Sequence, residues 1–347
     1  MMKRIIGFCA LSALICIVAS QAFVLGQDKV ERRDKKGGSI FVAGKILEEN
    51  AAGVKIKPQG LGKEEVIPSN EIIRMTYSDL PAKASLDIGK LAVAETARDY
   101  PALFKGYQAI QALPEVKTAG VGARRYIDYR VVTLQAAVAE GDDQLKAAIK
   151  ALSDFIGAHP DSWEFPHAAR NLARLQADTA DYAGATKTFE AIEKAPTVPT
   201  EFKQEATAAL IDIAFQSEKY DDGKTRIDAV NKNPNSPAGL KARVEIYQLG
   251  LDGAKGPDLP ASVKKIEEAI AKATDPSLKA LGYNVLGDVY FAKNNKRDAM
   301  WSYLWVDVVY NQDRGEHLKA MTRLIKIFDV DDKDKAALYR EKLARSR

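Results

Sequence analysis

The chain has 347 residues, of which 46% are hydrophobic and 28% are charged, and its 51 basic and 47 acidic residues leave a formal charge of +4. This composition excludes a disordered chain and a polytopic membrane protein, and the length predicts several folding units or an elongated repeat array. Because the charges are scattered rather than clustered, we expect no nucleic-acid partner.

Residues 1–26 have the order of a secretory signal peptide. Two basic residues precede an apolar run over 5–18, and small residues follow it. Cleavage is predicted after Ala22 or Gly26. An uncleaved membrane anchor is the alternative, because the apolar segment is long enough to span a bilayer. In either case we expect the bulk of the chain outside the cytoplasm, periplasmic or secreted, with membrane contact only through an uncleaved N-terminal segment.

No cysteine and only three histidines occur beyond this segment. The only cysteines, Cys9 and Cys16, lie within it, and the only histidines are His159, His167 and His317. The sequence contains no phosphate-binding glycine loop and no zinc-type histidine pair. We therefore expect no disulfide in the mature chain, no catalytic residue, no metal site and no cofactor.

Residues 28–80 show the period of two that is typical of strands. Five short strands are predicted, near 29–32, 40–47, 54–56, 65–67 and 72–77, with turns between them. About fifty residues are too few for a sandwich, so we expect an antiparallel meander closed into a small barrel. The layout resembles the SH3-like and Sm-like barrels of bacterial envelope proteins, which implies a structural or docking module.

From residue 84 to 347 the period becomes that of helices, in alanine-rich segments separated by short breaks. A small residue opens the second helix of each predicted hairpin, and these residues are 37 to 39 positions apart: Ala148, Ala185, Gly223, Ser262 and Ala299. Such a fixed spacing predicts a helical repeat array. An additional early helix pair is predicted over 88–113, and a last helix is predicted to begin at Asp331 and Asp332.

One unit carries a recognisable motif. Its residues are Tyr283, Leu286, Gly287 and Tyr290, followed by Ala299 and Tyr303. This pattern resembles the tetratricopeptide repeat (TPR) signature, with Asn311 in place of its terminal proline. The resemblance covers residues 129–311. It implies a mainly α fold, an α-α superhelical solenoid following the small antiparallel β barrel, in which the first helix of each pair lines a concave face.

In TPR proteins the concave face binds extended peptides or partner helices. The helix faces that avoid the packing positions predict the following partner-binding residues: Arg130, His167, Arg170, Asn171, Arg174, Asp212, Phe215, Tyr247, Asn284, Asp288 and Phe291. Arg170 and Arg174 are four apart and share a helix face, so we expect one basic end, suited to a carboxylate or an acidic peptide. The other end of the groove is expected to be aromatic and acidic.

The sequence thus predicts a non-enzymatic protein-protein interaction scaffold of the cell envelope. A receptor for a peptide or an envelope polymer is a second interpretation. A helical-fold hydrolase acting on an envelope polymer is the third, and it would require two close carboxylates in a cleft. Trp301 and Trp305 form an aromatic pair one turn apart, which either packs under the next helix or offers a partner-binding patch.

Overall fold

The computed structural model describes residues 26–34, 37–60 and 62–346. The predicted signal peptide or anchor, apart from Gly26, lies outside these residues. The described chain is mainly helical and carries one small antiparallel sheet at its N-terminal end. This agrees with the predicted order of a β unit followed by helices.

Five strands form the sheet: β1 (Asp28–Arg33), β2 (Ser39–Asn50), β3 (Gly53–Pro58), β4 (Glu65–Pro68) and β5 (Ile72–Thr76). The predicted strands are confirmed, but the predicted meander and closed barrel are wrong. The strand order is β4-β3-β2-β1-β5, so β5 returns beside β1 and the sheet stays open. Helices complete its core instead, because Val30, Ile56 and Met75 pack in one cluster with Tyr126 and Trp163.

Helices make up most of the described chain after the sheet: α1 (Ala82–Lys90), α2 (Ala92–Ala97), α3 (Tyr100–Gln111), α4 (Val121–Val138), α5 (Gly141–Ala158), α6 (Phe165–Asp178), α7 (Tyr182–Lys194), α8 (Thr200–Gln216), α9 (Tyr220–Lys232), α10 (Ala238–Lys255), α11 (Leu259–Lys272), α12 (Pro276–Ala292), α13 (Lys296–Val308), α14 (Arg314–Asp331) and α15 (Lys333–Ser346). The predicted hairpins from α4 to α13 are confirmed. The last helix, α15, also begins where predicted, and Asp332 accepts a hydrogen bond from the amide of Lys335.

The helical repeat is visible in the backbone as well as in the sequence. Ala180, Glu218 and Asn294 end α6, α8 and α12 in the left-handed region, with φ of 63°, 60° and 59°. In each case the following amide donates at 2.8 Å to the carbonyl five residues earlier. This is a helix-terminating motif that satisfies the last carbonyls of the first helix and turns the chain into the second.

The resemblance motif has a packing explanation in the α12–α13 hairpin. A Cβ atom at Gly287 would lie 2.4 Å from the ring of Tyr303. Tyr303 and Ala299 are buried, at 1% and 0% exposure. Glycine on α12 therefore makes room for the α13 tyrosine, and a small residue at position 299 lets the two helices approach closely.

The sheet and the helices are joined by buried polar contacts in addition to the shared core. Arg125 of α4 binds Glu49 at the end of β2, and its Nε lies 2.9 Å from Glu164 Oε2. On α6, His167 Nε2 lies 2.7 Å from the carbonyl oxygen of Ser69. The predicted boundary between residues 80 and 84 therefore falls between parts that pack together, and the domain limits stay a prediction.

Candidate functional site

Two adjacent cavities with shared wall residues lie among α6, α8, α10, α12 and α14. The first has a volume of about 450 Å³ and is lined by α6, α8, α10 and the first half of α14. The second has about 460 Å³ and is lined by the C-terminal parts of α6 and α8 together with α12 and α14. Both include Ala177, Asp178 and Gln216 in their walls. We call the first the charged cavity, the second the aromatic cavity, and the two together the lumen.

An ion network forms one wall of the charged cavity. Lys319 Nζ lies 3.2 Å from Asp212 Oδ2 and 3.2 Å from Glu316 Oε1, and Arg243 Nη2 lies 2.5 Å from the same Glu316 oxygen. Asn284 Nδ2 donates to Glu316 Oε2 at 3.0 Å. Burial by itself would raise the pKa of Glu316, but Lys319, Arg243 and Asn284 lower it to about 2. The network ties α14 directly to α8, α10 and α12.

The arginines predicted to form a basic end have a carboxylate of their own. Glu205 of α8 binds both Arg170, at 3.2 Å, and Arg174. Arg174 is still about half exposed in the lumen, with 48% of its side chain accessible. Two arginines therefore share one carboxylate. Arg314 also lines the charged cavity, and its Nε donates to the carbonyl of Ser346 at 3.0 Å.

The aromatic cavity is lined by rings around one bidentate ion pair. Arg323 of α14 donates to Asp288 of α12, from Nε at 2.6 Å and from Nη2 at 3.0 Å. The hydroxyl of Tyr303 also donates to Asp288, at 2.7 Å. The surrounding rings belong to Tyr182, Phe215, Tyr220 and Phe291. Its apolar side walls and fixed polar centre are typical of a pocket that orients a bound group.

The structure brings part of the predicted site together. Arg174 and Asp212 line the charged cavity, and Phe215, Asp288 and Phe291 line the aromatic cavity. Arg170 lies beside the charged cavity through Glu205. Asn171 is half-buried on α6. Tyr247 and Asn284 are buried within the ion network, at 1% and 4% exposure, so they support the wall more than they face the cavity.

Two of the predicted residues are engaged away from the lumen. Arg130 of α4 forms an ion pair with Glu95 at 2.5 Å, and its guanidinium lies 4.9 Å from the ring centre of Tyr107. His167 holds α6 to the sheet through Ser69, and burial lowers its pKa to about 4. Both side chains connect the sheet and the early helices to the array.

Sequence reasoning missed the contribution of α14. Glu316, Lys319 and Arg323 all line or support the lumen, yet the repeat pattern was followed only to Asn311. Their spacing of three and four residues places them on one helix face. Continuing the repeat by one more hairpin is the signal that finds them.

A hydrolase would need two close carboxylates in a cleft, and Asp212 and Glu316 are two such groups in the lumen. Asp212 and Glu316 approach each other through Lys319, but a glycosidase pair needs one carboxyl with a raised pKa to act as the acid. The lowered pKa of Glu316 and its three partners favour an ion-pair role. A carboxyl with a raised pKa does exist at Glu164, where it is buried against Arg125 away from both cavities.

Comparison with protein-family models gives no match to the chain, and comparison with curated proteins gives none either. Within the described residues, no helix combines the length and the apolar character needed to cross a membrane.

Proposed function

We propose that the chain is a non-enzymatic, TPR-like scaffold that binds a peptide or protein partner in the lumen. The observation that carries the proposal is the pair of adjacent cavities, one charged and one aromatic, lined mainly by the first helices of successive hairpins. Cavities of this kind offer fixed hydrogen-bonding groups beside apolar surface, which an extended peptide segment can use together. The repeated helix ends and the packing of Gly287 against Tyr303 support the superhelical solenoid that the proposal requires.

The proposed place of action is the cell envelope. It rests on the order of basic, apolar and small residues in 1–26, which favours export or anchoring. An envelope polymer is the alternative ligand for the same lumen. Asp212 and Glu316 each form an ion pair with Lys319, which favours a binding role over hydrolysis.

Filling the lumen tests the proposal. Ala208 lines the charged cavity, so Ala208→Phe places a ring in the space that a ligand would occupy. Ala191 is exposed on α7, and Ala191→Phe is the matched control of equal added volume. The wild-type chain is used to capture a partner from envelope extract, and the identified partner is then titrated against all three proteins.

We expect Ala208→Phe to weaken binding at least about tenfold, because a filled cavity forfeits the burial of the partner's side chain. Ala191→Phe is expected to bind like the wild type. Thermal unfolding of each variant separates lost binding from lost structure. Equal affinities for the two folded variants would show that the lumen is not the binding site.

A further inference from the structure

The outer face of α13 exposes a row of large apolar side chains. Trp301 is 54% exposed, Trp305 48% and Val308 68%, and Val309 follows at 41%. The two tryptophans and Val308 are spaced four and three residues apart, so they lie along one side of the helix. The second helix of the following hairpin, α15, does not cover these tryptophans, which are exposed to solvent. We call these four residues the α13 face.

A stack of rings holds part of this face in place. The indole of Trp305 stacks on Tyr283 of α12 with ring centres 5.8 Å apart and planes at 18°. Tyr283 in turn stacks on Tyr310, at 5.4 Å and 20°. Trp305 therefore does not need to be ordered on binding, which lowers the entropic cost of using it in a contact.

Three basic and two acidic side chains lie around the α13 face. Arg297 is exposed one turn before Trp301, beside Lys296, and the ammonium of Lys279 lies 6.0 Å from the ring centre of Tyr310 at the other end. Two carboxylates also lie nearby. Asp298 accepts a hydrogen bond from Asn295 at 2.7 Å, and Glu267 acts electrostatically on Tyr283.

We propose that the α13 face binds an anionic lipid surface, with Trp301, Trp305, Val308 and Val309 entering the interface and Arg297 and Lys279 meeting the headgroups. Tryptophan prefers the boundary between headgroups and acyl chains, because its ring is apolar and its N–H is polar. A surface helix that combines such residues with basic ones binds anionic membranes in the interface plane. This contact is independent of residues 1–26 and of the lumen.

The shape of the face favours a bilayer over a folded partner. Of α13, only Tyr303 lines the lumen, so the tryptophans stand on the outer side of the array. A protein partner recognises anchors best when one side supplies a recess for them. A fluid bilayer needs no recess, since it adapts to a protruding apolar row. The positive charges of Arg297 and Lys279 are complementary to its phosphate groups.

Tryptophan fluorescence tests the proposal on the full chain. The sequence has three tryptophans, residues 1–25 contain none of them, and the third, Trp163, is buried at 1% exposure. The emission change on adding vesicles therefore reports the α13 face even if the N-terminal segment also binds lipid. The probes are phosphatidylglycerol–phosphatidylcholine vesicles and phosphatidylcholine vesicles, each with and without brominated acyl chains.

We expect a blue shift and bromine quenching with the anionic vesicles, both weakened by salt. Val308→Asp/Val309→Asp keeps both reporters but places charge in the apolar row, and should raise the lipid concentration at half-maximal shift at least about tenfold. Arg297→Glu/Lys279→Glu should do the same with the anionic vesicles only. Val330→Asp is the matched control, because Val330 of α14 is 70% exposed outside this face, and it should behave like the wild type.

Three results would overturn the proposal. The first is no emission change with either vesicle, and the second is a change that Val308→Asp/Val309→Asp leaves intact. The third is a blue shift that rises with protein concentration without lipid, together with a doubled mass in light scattering. That last result would assign the α13 face to a second copy of the chain.

Discussion

Replacing Glu164 by glutamine should remove a large part of the pH dependence of stability. Glu164 is fully buried, its Oε2 accepts from Arg125, and its Oε1 has no hydrogen-bond partner. The same guanidinium also binds Glu49. Two carboxylates thus share one cation in a site with little water, and ionising both leaves an uncompensated negative charge. Burial raises the pKa of Glu164 to about 7, with Arg125 opposing the rise and Glu49 adding to it.

The magnitude follows from proton linkage. A rise from the ordinary 4.5 to about 7 corresponds to about 3 kcal/mol, at about 1.4 kcal/mol for each pKa unit. Between these two pH values the folded chain holds a proton that the unfolded chain has released. The contribution to the free energy of unfolding is therefore fully present below about pH 4.5 and is lost as the pH rises through 7.

Chemical denaturation at intervals from pH 5 to pH 8 measures the effect. Relative to Glu164→Gln, the wild type should lose about 2 to 3 kcal/mol of unfolding free energy across this range. Titrating groups other than the coupled Glu49 are common to both proteins and cancel in the difference. Glu49→Gln removes the second carboxylate, whose charge raises the pKa of Glu164. This variant should therefore lose less unfolding free energy across the range than the wild type does. Parallel pH profiles for the wild type and Glu164→Gln would refute the reasoning.

Three further predictions concern the lumen wall, the hairpin crossing and the contact between sheet and α6. Lys319→Met leaves Asp212 and Glu316 buried without their shared cation, so denaturant titration should show a loss of about 3 to 5 kcal/mol; an unchanged midpoint would contradict the role given to the network. Gly287→Ala forces a Cβ atom against Tyr303 and should cost about 1 to 3 kcal/mol by the same measurement, whereas Gly239→Ala, where a Cβ has open space, is the control. Burial lowers the pKa of His167 to about 4, so its ring should stay neutral at pH 5.5 in an NMR titration. Its contribution to stability is lost as the pH falls from 6.5 toward 4. Titration of the ring near pH 6.5 would show that His167 is not buried as described.

The local elements were predictable, because the strand and helix periods depend on nearby residues. The position of β5 was not, since its pairing with β1 joins residues forty or more positions apart. A sheet of this length could close on itself or be covered by helices, and the strand pattern is the same in both cases. The covering side chains, such as Tyr126 and Trp163, belong to helices that the pattern treats as separate.

The residues of the lumen were likewise predictable only in part. Helical spacing placed Arg174, Asp212 and Phe215 on the faces that line it. Spacing could not show that His167 faces the sheet, because that orientation depends on how the β unit docks on α6. Nor could it give the partner of each charge, as Glu205 between two arginines illustrates.

The ion pairs from α14 to α8 and α10 distinguish this helical array from an open repeat array. In an open array each unit contacts only its neighbours, so units can be added or deleted and the stability scales with their number. Here Lys319 of α14 binds Asp212 of α8, three hairpins earlier in the chain, and Glu316 of α14 binds Arg243 of α10, two hairpins earlier. Inserting or removing a hairpin between them would displace these partners and leave buried charges unpaired. The number of hairpins from α8 to α14 is therefore fixed by electrostatics, and this part of the array should melt as one cooperative unit.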